Sequence, residues 1–137
     1  MIEGWQNDDY YILFDDQHES IEMTDRYSFS DYLPGHIVTG LIGWDDFITR
    51  SDNSYFRVPT IPLVPEYLES YEFKIDLANF EDDPKVRGKI KWYVKPLIFG
   101  GDPEEDENTT WIDLDSHVDA VKYWNNMYKD LKSNKSV

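Results

Sequence analysis

The chain has 137 residues, with 13 basic and 28 acidic side chains for a net charge of −15, and with 5 Trp, 10 Tyr and 7 Phe but no cysteine. This composition excludes disulfides, thiolate metal sites and a cysteine nucleophile, and a pI near 4.3 argues against unaided binding to nucleic acid or anionic lipid. Length and aromatic content predict one folded domain over 1–137 with a frayed tail at 133–137, and the lack of a signal-peptide pattern or long apolar run points to a cytoplasmic setting with no membrane contact.

Asp9 to Phe14 is a dense aromatic and branched run that predicts a strand. Asp15 to Ser20 reads as a turn and Ile21 to Met23 as a short return strand. Pro34-Gly35 forces a turn, and His36 to Ile42 reads as a buried strand in which Gly40 marks a bulge or a close approach. Trp44 to Arg50 and Tyr55 to Val58 flank the polar turn Ser51 to Ser54, a β-hairpin pattern. Pro59, Pro62 and Pro65 exclude regular helix or central strand and suit an extended connector, Pro65 opening a short helix through Ser70. Tyr71 to Asp76 and Lys89 to Lys95 alternate apolar with charged residues, as one-sided strands do. Gly100 to Asn108 is an acidic loop and Thr110 to Ile112 a last short strand.

Ser116 to Lys132 carries the strongest periodicity. Val118, Val121, Trp124, Tyr128 and Leu131 recur at helical steps, with Lys129 and Lys132 placed to suit the helix dipole. Ser116 with Asp119 three residues on reads as a variant capping box. The expected fold class is α+β, an antiparallel, strand-rich sheet closed by a C-terminal helix.

The charge is unevenly spread. Residues 1–83 hold 19 acids against four bases, Arg26, Arg50, Arg57 and Lys74, whereas residues 84–137 hold nine of each. A field of that sign speeds encounter with a basic partner and repels nucleic acid. Tyr10 and Tyr11 point to opposite sides of one strand, which leads us to expect an exposed aromatic anchor ringed by acids. The expected partner-binding face therefore comprises Asp8, Asp9, Tyr10, Tyr11, Asp15, Asp16, Glu19, Glu22, Asp45 and Asp46.

Motifs for chemistry are absent or incomplete. Asp102, Glu104, Asp106, Asn108, Thr110 and Asp113 copy the ligand spacing of a calcium loop, but Glu107 stands where the sharp turn needs glycine and no helix precedes it. His18, His36 and His117 lack zinc spacing, and no glycine-rich phosphate loop occurs. Asp45-Asp46, on a strand, would point to opposite faces instead of converging as an acid–base pair. No catalytic residue, cofactor or metal ligand is expected.

Tyr32-Leu33-Pro34-Gly35-His36-Ile37, then Gly40-Leu41-Ile42-Gly43-Trp44-Asp45-Asp46-Phe47, and Trp111 to Ser116 leading into a helix, resemble the SUKH superfamily. The resemblance implies an α+β domain serving as an immunity protein against a bacterial polymorphic toxin, frequently a nuclease, with no catalytic residues to carry over. Charge and resemblance together lead us to expect an acidic, non-enzymatic protein that neutralises a basic protein partner. A nucleic-acid mimic is the second reading, and a small metal-binding or hydrolytic domain on the acidic loop is the third.

Overall fold

The computed structural model describes residues 1–14, 16–72 and 74–134. Its main sheet is antiparallel, six-stranded and in sequential order: β1 (Ile2–Gln6), β2 (Asp9–Leu13), β3 (Ile37–Ile42), β4 (Asp46–Ser51), β5 (Ser54–Pro59) and β6 (Glu69–Ser70). Between β2 and β3 the chain makes α1 (Gln17–Arg26). After β6 come a two-stranded sheet, β7 (Ile90–Tyr93) with β8 (Thr109–Ile112), and then α2 (Leu114–Asn134). This is the α+β arrangement, with a C-terminal helix, that the periodicities predict.

β2 is packed on both faces. Tyr10, Ile12 and Phe14 join Phe47 and Val58 of the sheet, Met23 and Tyr27 at α1, and Val118 and Val121 of α2. Tyr11 and Leu13 join Ile42 and Ile48 in a second cluster, roofed by Tyr71, Ile75 and Phe80. A strand covered on both sides needs no polar alternation, hence the unbroken apolar run. β1 is harder to see in sequence. It is joined to β2 by Asn7-Asp8, both at positive φ, as a tight two-residue hairpin turn requires.

α1 stands where a turn and a return strand are expected at Asp15 to Met23. Asp16 caps it, accepting from the Glu19 N–H, and Ser20 and Met23 fall on its buried side. The Asp16…Glu19 spacing was the one local signal for it. Tyr71 to Asp76 forms no strand among its described residues (Phe73 lies outside them): the ladder with β5 ends at Ser70, followed by one further bond from the Tyr71 N–H to the Tyr55 carbonyl. The segment is instead tied by Gln6, whose side-chain amide donates to the Lys74 carbonyl and accepts from the Asp76 N–H. Its alternation reports which residues roof the second cluster, not which pair. Gly40 fulfils both expectations: register shifts beside it, and a Cβ there would lie 2.5 Å from the Ile12 carbonyl oxygen.

The proline-rich connector runs into a short 3₁₀ turn at Pro65–Tyr67 instead of a helix through Ser70. Buried Asn125 of α2 fastens it, accepting from the Leu63 N–H and donating to the Thr60 carbonyl. α2 starts earlier than expected because Asp113, not Ser116, caps it: its carboxylate accepts from the Ser116 N–H. Val118 and Val121 are buried and Trp124 is half-buried, but Leu131 is 44% exposed as the stripe leaves the core. The helix includes Ser133 and Asn134, and the rest of the expected tail lies outside the described residues. No helix among the described residues is long and apolar enough to cross a membrane.

Candidate functional site

Antiparallel pairing decides where the acids go. In the β1–β2 hairpin Gln6 faces Asp9 at the turn end and Ile2 faces Leu13 at the other, about 14 Å away at about 3.4 Å per residue. Asp8 and Asp9 sit at the turn end. The Gly43 N–H donates to the Tyr10 carbonyl, and Trp5 exchanges backbone hydrogen bonds with Glu81, so loop 43–46 and segment 76–83 reach the same end. Asp8, Asp9, Asp45 and Asp46 are thereby joined by Asp76, Glu81, Asp82 and Asp83, four acids that sequence reasoning left out.

The expected face does not hold together as a whole. Asp16, Glu19 and Glu22 belong to α1, at the far end of the hairpin, where Glu19 pairs with the N-terminal amine at 3.1 Å. Asp15 lies outside the described residues. Tyr10 and Tyr11, expected to leave one ring exposed, are 1% and 7% exposed because both faces of the sheet are covered. The Tyr10 hydroxyl donates to Glu3 at 2.8 Å, and burial together with that carboxylate raises its pKa well above the ordinary range. Tyr11 stacks on Phe80.

The added acids shape a groove of about 880 Å³, lined by Asp8, Asp76, Glu81, Asp82 and Asp83 with Lys74 as its cation. Most are held by local bonds. Asp76 accepts from the Ala78 N–H, and Asp83 accepts from the Lys85 N–H and from the Trp5 indole. Arg87 pairs with Asp82 at the rim. One wall of the groove is Trp5, which meets Trp44 edge-on at 5.2 Å, and Trp44 in turn meets Trp111 at 5.3 Å.

Across that wall lies a smaller cleft of about 150 Å³, where Asp45 meets Trp44, Trp92, Tyr93, Leu97 and Ile98. Asp46 is spent on an ion pair with Arg57. Asp45 has its carboxyl pKa raised by desolvation and by Asp46, against the pull of Lys91 and Arg57.

Elsewhere the candidate chemistry is occupied by structure. In the calcium-like loop, Asn108 is buried and binds both the N–H and the carbonyl of Lys95 as well as the Asp102 carbonyl. His117 is buried among Tyr27, Phe47 and Trp92, with Nδ1 2.7 Å from the Tyr27 hydroxyl. Burial lowers its pKa to about 3, so the ring is neutral. Among the described residues no group of three or more histidines or carboxylates is placed to hold a metal ion. No protein-family model matches the chain, and neither does any curated protein or solved structure.

Proposed function

We propose that the chain is an acidic, non-enzymatic binding protein that masks a basic protein partner, in the manner of an immunity protein against a nuclease-type toxin. The observation that carries this reading is the concave, acid-lined groove at the turn end of the β1–β2 hairpin. Charge of one sign in a concavity focuses its field and raises the encounter rate with an opposite surface. Carboxylates already fixed by caps and turns lose little freedom on binding, which favours affinity. The stretches Tyr32 to Ile37 and Gly40 to Phe47, which resemble the SUKH superfamily, support the immunity form of the reading.

The test is affinity capture from the native host, followed by association kinetics across a salt series. The captured protein is expected to be basic, with an association rate that falls steeply as salt shortens the Debye length from about 10 Å at 0.1 M to about 3 Å at 1 M. Combining Asp8→Asn, Glu81→Lys and Asp82→Lys should slow association about tenfold or more. Asparagine is used at residue 8 because the backbone there is left-handed. Capture of no basic protein, or an unchanged association rate, overturns the proposal. Release of the partner by added DNA would instead favour the nucleic-acid mimic.

A further inference from the structure

The cleft beside Trp44 holds features that the chain itself leaves unused. Among the described residues no donor or cation bonds the Asp45 carboxylate. Arg57 is committed to Asp46, and Lys91, the cation sharing the rim, stays beyond ion-pair distance. Leu97 and Ile98 at the same rim are 46% and 40% exposed. Trp44 is held at φ +64° beside Gly43 at φ +63° in the tight turn between β3 and β4, which fixes where its side chain leaves the backbone at the cleft. An accessible carboxylate left unpaired beside aromatic rings suits a weakly hydrated cation that can also stack on those rings.

Size and shape narrow the occupant. About 150 Å³ accommodates a group the size of benzene, so one side chain enters, not a helix or a nucleotide. A guanidinium is planar, stacks on indole and phenol rings, and binds a carboxylate through two parallel N–H bonds. Its methylene stem can lie along apolar surface. We propose that this cleft receives one arginine side chain of the basic partner, with the guanidinium on Asp45 beside the Trp44 and Tyr93 rings and the stem along Leu97 and Ile98. The inference rests on the chain being a binder of a basic protein, and it makes the cleft an anchoring pocket beside the steering groove.

The probe is N-acetylarginine methylamide, titrated into the intact protein at about 0.15 M salt, where the Debye length is about 8 Å, and followed by the indole N–H resonances. Saturable shifts at Trp44 and Trp92 are expected. The uncharged isostere N-acetylcitrulline methylamide should bind about tenfold more weakly, as should the arginine probe to Asp45→Asn, the loss of one charge-assisted contact. Asp45→Asn changes an accessible side chain, and an unchanged melting temperature would confirm that it folds. Non-saturating shifts, shifts confined to Trp5 in the groove, equal binding of citrulline, or indifference to Asp45→Asn would each overturn the proposal. The two readings fail separately. A basic partner captured equally by wild type and Asp45→Asn removes the arginine pocket alone, whereas absence of any basic partner removes the wider function whatever the probe does.

Discussion

The two faces of the main sheet are closed by different means. One is backed by α1, α2 and the β7–β8 sheet, and its cluster includes the fully buried Tyr27, Phe29 and Phe47. The other is roofed by Tyr71, Ile75 and Phe80, from a segment with little regular structure. That same segment continues into Asp76, Glu81, Asp82 and Asp83. The acidic groove is thus borne by the lighter cover while the heavier face acts as scaffold, a division common to binding loops on rigid frames.

The sharpest way to break the comparison is to hollow out each face. Phe47→Ala on the helix-backed side should cost about 3–5 kcal/mol, read from urea denaturation. A loss below about 1 kcal/mol would mean the scaffold face is not the dominant core. The next effect is a pH dependence set chiefly by His117 on that face, with the partly buried His36 shifted in the same direction. His117 has a folded pKa of about 3, below the value of about 6.5 it has when unfolded, so the unfolded state takes up the proton more readily. Stability should therefore be complete above about pH 6.5 and fall by about 1.4 kcal/mol per unit as pH drops toward 5. A flat profile over that interval would show the imidazole to be solvated.

On the lighter face, Phe80→Ala removes a half-buried ring and should cost about 1–2 kcal/mol, less than its counterpart. Its signature is local: amide exchange should quicken across 74–83 more than in β3 or β4. Equal acceleration everywhere would show that the roof unfolds only with the whole molecule. The smallest effect is at the far end of the hairpin, where Asp16→Ala removes the α1 cap at about 1 kcal/mol. Because Asp16 lies away from the groove, partner association should be unchanged, and a slowed rate would bring α1 into the binding face.

Signals that act over a few residues were legible in the sequence. The β4–β5 hairpin, the Gly40 bulge and the body of α2 follow from turn chemistry, a missing Cβ and a 3.6-residue stripe. α1 escaped because its buried side holds only Ser20 and Met23, too little to mark a period. β1 escaped because Glu3, Gly4 and Gln6 dilute any pattern. The site was legible in sign but not in layout. The acids of the hairpin turn could be named from sequence, yet Glu81 reaches Trp5 across 76 residues through a backbone bridge that no local pattern encodes. The burial of Tyr11 likewise depends on a roof, Tyr71, Ile75 and Phe80, that arrives far along the chain, whereas Tyr10 is covered on the opposite face, in the cluster that includes Val118 and Val121.

Three of the five tryptophans, Trp5, Trp44 and Trp111, form a chain of edge-on rings with centroids 5.2 and 5.3 Å apart, touching the acidic groove at one end and solvent at the other. At such separations the indole transitions couple, so the wall between groove and cleft is also an optical device. Its fluorescence and near-ultraviolet dichroism should respond to an occupant on either side, which lets the protein report its own partner without a label.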